Sequence, residues 1–512
     1  MGDMTPTAEQ AAIVDAAARG KDLVIQAGAG TGKTSTLRLL ASATPARKAL
    51  YVAYNRTIAD EAAGSFPDHV QCRTAHSLAY GAIGRRYAHR LNGPRQLPAR
   101  RAEILGTGWL DLRPHLSVSP AQLARIAVDT VTRYCYSADD EINESHVPFQ
   151  TGIIGADHAA LAARVLPYAQ RAWSDINDRD GLLKFEHDHY VKMWALTRPT
   201  LPADVVMLDE AQDTNAVVAQ VVQAQTHAQR IAVGDSCQQL YAWRGASDAL
   251  DTWEADECLY LSQSWRFGSA IAQEANRWLT HIDTPLRLSG NPAIRSELAS
   301  VDRPRAILCR TNAESVTQVM ALLAAGRRVA LAGGGTEIRR LAEAVDDLKN
   351  GRRTSHPELY VFETWGALQE YVDTDRSGQD LKPFVDLIDS HGAETILAAV
   401  DSLVDEKRCD TVVSTAHKAK GREWDSVLIA DDFTEPLDDD GIPRTSAMLA
   451  YVAVTRARHQ LDRGSLAWID RYSRRGGGRG TVQRRQPHRD VGGTARTGSG
   501  PGRLAGVGDG QR

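Results

Sequence analysis

The sequence predicts an α/β chain of parallel sheets. A mostly helical insertion interrupts its first half, a smaller one its second, and a basic tail ends it. Three observations carry this. Short apolar runs without polar alternation recur along the chain, the habit of strands covered on both faces. Helical patterns lie between them, the order that builds parallel sheets. One run, 22–27, feeds the glycine loop Gly28-Ala29-Gly30-Thr31-Gly32-Lys33-Thr34, from which a helix departs.

Taken in order, 22–27 reads as a buried strand and 33–42 as the helix leaving the loop. Further strands are expected at 48–54, 204–208, 230–233, 304–309 and 426–430. Residues 85–175 are rich in Arg, Ala, Leu and His with few strand signals, a helical insertion. Residues 350–405 open on polar residues and continue through helical stretches near 365–372 and 381–388, a second, shorter insertion. From 471 onward, twelve glycines and ten arginines with almost no apolar residues cannot bury a core, so a disordered tail is expected. The expected divisions are 1–84 with 176–248, the insertion 85–175, 249–349 with 406–470, the insertion 350–405, and the tail 471–512.

At 512 residues the chain is long enough for two to four domains. Its net charge of −4 hides an asymmetry: ten Arg against two Asp make 471–512 +8, which leaves −12 for residues 1–470. Net charge is therefore no evidence for nucleic-acid binding, although a local groove can be positive in an acidic body. No apolar run approaches the roughly 20 residues of a membrane span. The N-terminus carries Asp3 and Glu9 and no hydrophobic stretch, so a secretory signal is not expected and a cytoplasmic location is. The six cysteines are scattered without a Cys-x-x-Cys pair, which argues against a structural metal cluster or a disulfide framework.

The chemistry lies in short motifs spread along the chain. Backbone N–H groups of the glycine loop can surround phosphates, Lys33 can reach the β/γ oxygens, and Thr34 can ligate Mg²⁺. The strict pattern wants glycine one position earlier, where this chain has Ala27. Asp209-Glu210 follows the run 204–208 at a strand's C-terminal end, where open α/β sheets bind ligands. Asp209 would hold Mg²⁺ and Glu210 would polarise the attacking water. Gln238 sits past another strand end, where its amide could sense the γ-phosphate. Arg266 and Arg456 are candidate arginine fingers. Tyr241 and Trp243 beside Arg244 fit either a core or a platform on which bases stack. Parts of one ATP site lying hundreds of residues apart suggest a site between two domains, so that hydrolysis can move one against the other.

These motifs resemble those of superfamily 1 helicases of the UvrD/Rep type. Within them, His417-Lys418-Ala419-Lys420-Gly421-Arg422-Glu423-Trp424 looks most like the helicase domain of F-box DNA helicases and their bacterial and phage relatives. No F-box segment precedes the motifs, so a ubiquitin-ligase role is not implied. The resemblance implies two RecA-like P-loop NTPase domains, 1A and 2A, with the insertions as 1B and a short 2B. It implies ATP-driven movement 3′ to 5′ on single-stranded DNA and unwinding at ss/ds junctions, in repair, recombination or replication. Nucleotide contacts would come from Gln10 (on adenine), Gly28, Ala29, Gly30, Thr31, Gly32, Lys33, Thr34, Ser35, Trp265 (stacking on adenine), Gly421 and Glu423 (on ribose). The metal would sit on Thr34 and Asp209. DNA contacts would come from Tyr54, Asn55, Thr74, His76, Tyr241, Trp243, Arg244, Thr415 and His417. The short second insertion makes translocation the firmer expectation and duplex unwinding the weaker. An alternative role is the ATPase subunit of a multi-protein nuclease or phage-defence complex, with the nuclease on a separate chain.

Overall fold

The computed structural model describes residues 6–471 apart from 45–46, 92, 94–95, 114–115, 151–152, 241–248, 355, 357–358, 360–361, 375–380 and 437–440. The segment with Tyr241, Trp243 and Arg244 and the tail beyond 471 lie outside the described residues. Met1–Ala467 is one compact unit, and of a second, Trp468–Arg512, only 468–471 are described.

Fourteen strands are described. β1 (Leu23–Ala27), β2 (Ala49–Ala53), β3 (Val70–Thr74), β6 (Val205–Leu208), β7 (Gln229–Gly234) and β8 (Glu257–Leu261) form one sheet in the order β3-β2-β6-β7-β1-β8. β9 (Glu297–Leu298), β10 (Ala306–Cys309), β11 (Val329–Leu331), β12 (Thr411–Thr415), β13 (Trp424–Ile429) and β14 (Ala457–Asp462) form the other, in the order β11-β12-β10-β13-β14-β9. All strand pairs in both sheets are parallel. This is the parallel α/β architecture that the buried runs anticipated, and it is consistent with the RecA-like domains that the resemblance implies. β4 (Leu110–Arg113) and β5 (Leu116–Val118) make a small antiparallel hairpin inside the first insertion.

The two-residue side-chain period of a strand divides the first sheet's residues between two cores. Val24, Leu50, Val52, Val206 and Leu208 face one core; Leu23, Ile25, Tyr51, Val205 and Met207 face the other. The second of these is closed by helices Ala8–Ala18, Lys33–Ala43 and Arg56–Ala63 through Ile13, Leu37, Leu40 and Ala59. The first runs on without a break into the helices of the insertion, Pro120–Tyr136 and Gly155–Asn177. Each fully buried side chain of this kind is worth about 1.5–3 kcal/mol.

Three expected boundaries shift. β8 pairs with β1, so 257–261 belong to the first sheet and not to the part expected to begin at 249. Its burial alternates between half-buried and exposed before the buried Leu261, the pattern of an edge strand, and its short apolar run 258–261 does not say which sheet it joins. Helix Gly155–Asn177 runs past the expected end of the insertion at 175. The helices of the second insertion, Trp365–Thr374, Lys382–His391 and Ala393–Asp401, share their core with β10, β11 and β12 through Leu368, Ile388 and Ile396. Among the described residues they thicken the second sheet's helical layer and share its core.

Candidate functional site

Parallel strands place their C-terminal ends on one edge of the first sheet, and the predicted motifs gather there. The glycine loop follows β1, Tyr54 and Asn55 follow β2, Thr74 ends β3, Asp209 follows β6, Gln238 follows β7 and Ser264 follows β8. Loop shape depends on glycine at two points. Gly32 opens helix Lys33–Ala43 at φ +81°. Gly30 lies at φ +72°, and a Cβ there would come within 2.6 Å of Arg266 Cβ. The loop is held from behind: Ser264 Oγ donates to Ala29 O at 2.8 Å and Trp265 N to Gly30 O at 2.8 Å. The first N–H groups of helix Lys33–Ala43 have no partner within the helix and carry its positive dipole end, an anion cradle.

Lys33 Nζ lies 3.1 Å from Glu210 Oε1. Burial would lower the Lys33 pKa, but Glu210, Asp235 and Asp209 raise it. Burial likewise pushes Glu210 up, yet Lys33 and Lys420 hold it down at about 2, so it is ionised across the working range. Asp209 goes the other way, raised by burial and by the Glu210 charge. Tyr51 OH donates to Asp209 Oδ2 at 2.5 Å, and Thr34 Oγ1 lies 3.4 Å from the same oxygen. Glu210 holds a left-handed backbone, φ +51°, unusual for a residue with a Cβ. Such strain costs of order 1–3 kcal/mol and tends to collect at functional sites.

The second sheet supplies the other wall from its opposite edge. Glu423 and Arg456 precede β13 and β14, and Trp424 N donates to Arg456 O at 3.0 Å. Arg456 is 1% exposed; its Nη2 donates to Gln238 Oε1 at 3.2 Å and its Nε to Val452 O at 2.9 Å. Burial, and then the like charge of Arg266, push its guanidinium down to about 9. Arg266 Nε pairs with Glu423 Oε2 at 2.7 Å, and its Nη1 donates to Thr455 O at 3.1 Å. Lys420 Nζ bridges Asp213 Oδ2 at 2.5 Å and Gln238 O at 2.6 Å. Cations from both sheets therefore interleave with the acids of the first.

Gln10 is buried and donates to Thr36 Oγ1 at 3.1 Å. Both Gln10 Nε2 and the indole of Trp265 lie within 4 Å of where a Cβ on Gly32 would be, and Trp265 is 41% exposed. The two residues expected at adenine thus flank the start of the loop helix. Ser35 lies in that helix's first turn, and Gly421 sits at φ +79° ahead of β13.

The predicted strand contacts divide. Tyr54 is 51% exposed. His76 is held by Asp188 Oδ1 at 3.1 Å, which Tyr136 OH also engages through Oδ2 at 3.1 Å. Asn55 and Thr74 accept from the N–H groups of Ile58 and Ser77 and so cap helices. Thr415 is buried and accepts from Lys418 N at 3.3 Å. His417 lies just beyond β12, partly buried, its pKa lowered by burial and by Arg310.

Residues 10–244 match the family model of an AAA domain, and 410–461 match that of a UvrD-like helicase C-terminal domain. Both matches support a likeness to UvrD/Rep-like helicases of superfamily 1. It is 28% identical over 508 residues to F-box DNA helicase protein 1 of Schizosaccharomyces pombe, covering 89% of this chain and 57% of that protein. It is 27% identical over 491 residues to F-box DNA helicase 1 of Gallus gallus, covering 86% of this chain and 47% of that protein. The chain therefore spans about half the length of these curated relatives. No described helix is long and apolar enough to cross a membrane.

Tyr51, Asp235, Lys420 and Tyr451 also meet in this site and are not among the residues the sequence marks. Tyr51 and Tyr451 sit in apolar runs and read as core. Lys420 stands inside the motif 417–424 and Asp235 three positions before Gln238, but nothing in their spacing marks them as partners of Gln238.

Proposed function

We propose that this chain hydrolyses ATP with Mg²⁺ and uses the cycle to move 3′ to 5′ along single-stranded DNA, opening duplex at ss/ds junctions. The observation that supports it best is the cross-sheet contact of Arg456 with Gln238, close to the Lys33–Glu210 pair. A site split between two sheets can convert the loss of a phosphate into relative motion. Polarity, the DNA substrate and a role in repair, recombination or replication rest on the family likeness. We assign domain 1A to the first sheet, 2A to the second, and 1B and 2B to their insertions.

The ligand-free contacts indicate what each side chain would do. A triphosphate would draw Lys33 away from Glu210. The carboxylate then loses the larger of the two cationic influences that hold its pKa down and becomes a better base for the attacking water. Arg266 would exchange Glu423 for phosphate oxygen and free that acid for the ribose hydroxyls. Arg456 and Gln238 would meet the γ-phosphate together, where a guanidinium stabilises charge that develops in the transition state. Gln10 and Trp265 would hold adenine. Thr34 Oγ1 and Asp209 Oδ2 are hard oxygen donors of the kind Mg²⁺ takes. The bound ion would neutralise charge on the β and γ oxygens. For the strand we propose Tyr54, Asn55, Thr74, His76, Thr415 and His417, with Tyr241, Trp243 and Arg244 as the stacking segment.

ATP hydrolysis with and without single-stranded DNA, using Lys33→Ala as control, tests this. Strong stimulation, lost in the variant, is the expected result. Turnover indifferent to DNA would overturn the motor reading. Turnover that appears only with a second protein would favour the subunit of a nuclease or defence complex.

A further inference from the structure

Tyr451 lies within helix Arg444–Val454, fully buried, in the stretch that leads to Arg456. Its hydroxyl accepts from the Ala29 N–H at 3.0 Å and donates to Asp235 Oδ2 at 3.1 Å. Gln238 Nε2 donates to the same Asp235 oxygen at 2.5 Å, and Gln238 Oε1 accepts from Arg456 at 3.2 Å. On the helix itself, Thr455 Oγ1 donates to Tyr451 O at 2.8 Å and to Val452 O at 3.0 Å, and Arg456 Nη2 donates to Thr455 Oγ1 at 2.9 Å. An unbroken run of hydrogen bonds therefore leads from the phosphate loop of the first sheet to the guanidinium carried by the second. It passes through one phenol.

We propose that Tyr451 is a positioning residue of the nucleotide site, whose hydroxyl sets the Ala29 peptide of the phosphate loop against the helix that carries Arg456. This rests on reading the cleft as an ATP site. Packing alone does not require the hydroxyl, because phenylalanine has the same ring. A buried phenol is tolerated when both its donor and its acceptor are used, as here. Of the other ties on this stretch, those from Ser264 and Trp265 hold loop carbonyls, and Leu261 O holds the preceding amide, Gly28 N, at 3.0 Å. The Tyr451 bond holds an amide, and so fixes the rotation of the peptide between Gly28 and Ala29. Helix Arg444–Val454 is buried along Ala447–Val454 and so is close-packed on that length. Displacement of that helix would therefore turn the loop and withdraw Arg456 together.

Tyr451→Phe in the full chain tests this by three readouts: amide exchange over residues 27–32, ATP turnover, and binding of a fluorescent ADP analogue. Exchange should quicken. Turnover should fall roughly tenfold or more, the scale of removing one preorganising donor. KM and ADP affinity should stay within about twofold, the signature of an effect confined to the transition state. Unchanged exchange with unchanged turnover would overturn the proposal, as would ADP binding lost in step with turnover, which marks a merely structural role. If Tyr451→Phe does not fold, Asp235→Asn removes the charged acceptor with little change of shape and must reproduce the selective loss of turnover; full turnover in that variant overturns the proposal. Wild-type protein that hydrolyses no ATP, yet whose loop exchange responds to Tyr451→Phe, would sink the ATPase reading and with it the catalytic role of Tyr451. Normal wild-type turnover with an unresponsive variant would sink the Tyr451 proposal alone.

Discussion

At the scale of single residues the cleft is a set of charges each held by another. Glu210 shows it best: 26% exposed at its side chain, it stays ionised because Lys33 and Lys420 outweigh its burial. Glu210→Gln should lower turnover about 10²–10⁴-fold, the worth of a positioned base, while nucleotide binding persists. The same pairing has a pH signature. The folded-state pKa, about 2, lies below the ordinary 4.5. A depressed carboxylate contributes stability that is present above the ordinary value and is lost as pH falls through the folded one. The stability difference between wild type and Glu210→Gln should therefore hold steady from pH 7 down to about 4.5 and shrink between there and 2, as read by urea unfolding. A gap that narrows already near neutral pH would contradict this.

At the scale of elements, helix ends already use two of the side chains proposed for the DNA strand. Asn55 is the N-cap of helix Arg56–Ala63 and Thr74 that of helix Ala75–Ala82. Asn55→Ala should cost about 1 kcal/mol of stability, and Asn55→Asp should recover it because aspartate caps equally well. If Asn55 also touches the strand's phosphates, Asn55→Asp will bind single-stranded DNA more weakly while remaining stable; a fluorescence titration beside thermal unfolding separates the two roles. The glycine loop is less forgiving. Gly30→Ala would place a methyl against Arg266 and Ser264 in a left-handed backbone, and should cost about 1–3 kcal/mol. Nucleotide affinity should fall with it, measurable with the fluorescent ADP analogue. Strand legibility also belongs to this scale. β2, β6 and β10 are buried along their whole length and stand out as apolar runs. β3 and β14 are partly exposed edge or near-edge strands whose polar residues break the run.

At the scale of the whole molecule, the first sheet turns its C-terminal edge to the cleft and the second sheet the opposite edge, where Glu423 and Arg456 lie. That leaves the C-terminal edge of β12, with His417, for other contacts. Arg456→Ala should lower turnover about 10³-fold or more, the low end of an arginine finger's contribution. ADP binding should be spared, since the phosphate loop belongs to the other sheet. Trp243→Ala should weaken DNA stimulation of turnover and leave nucleotide binding intact; normal stimulation in that variant would remove the stacking role.

The chain's local order was enough to determine the phosphate loop, the acids after β6, the parallel α/β class and the family likeness. These depend on residues close in sequence: a strand, a tight turn and a helix start within a dozen positions. Tertiary structure alone decided which side chains meet. Tyr451 reaches Ala29 across 422 positions and Arg456 reaches Gln238 across 218. No periodicity encodes a contact between two elements that each look complete without it. The sheet to which β8 belongs was decided in the same way, because an edge strand's partner is chosen by the neighbour that fits it and not by its own pattern.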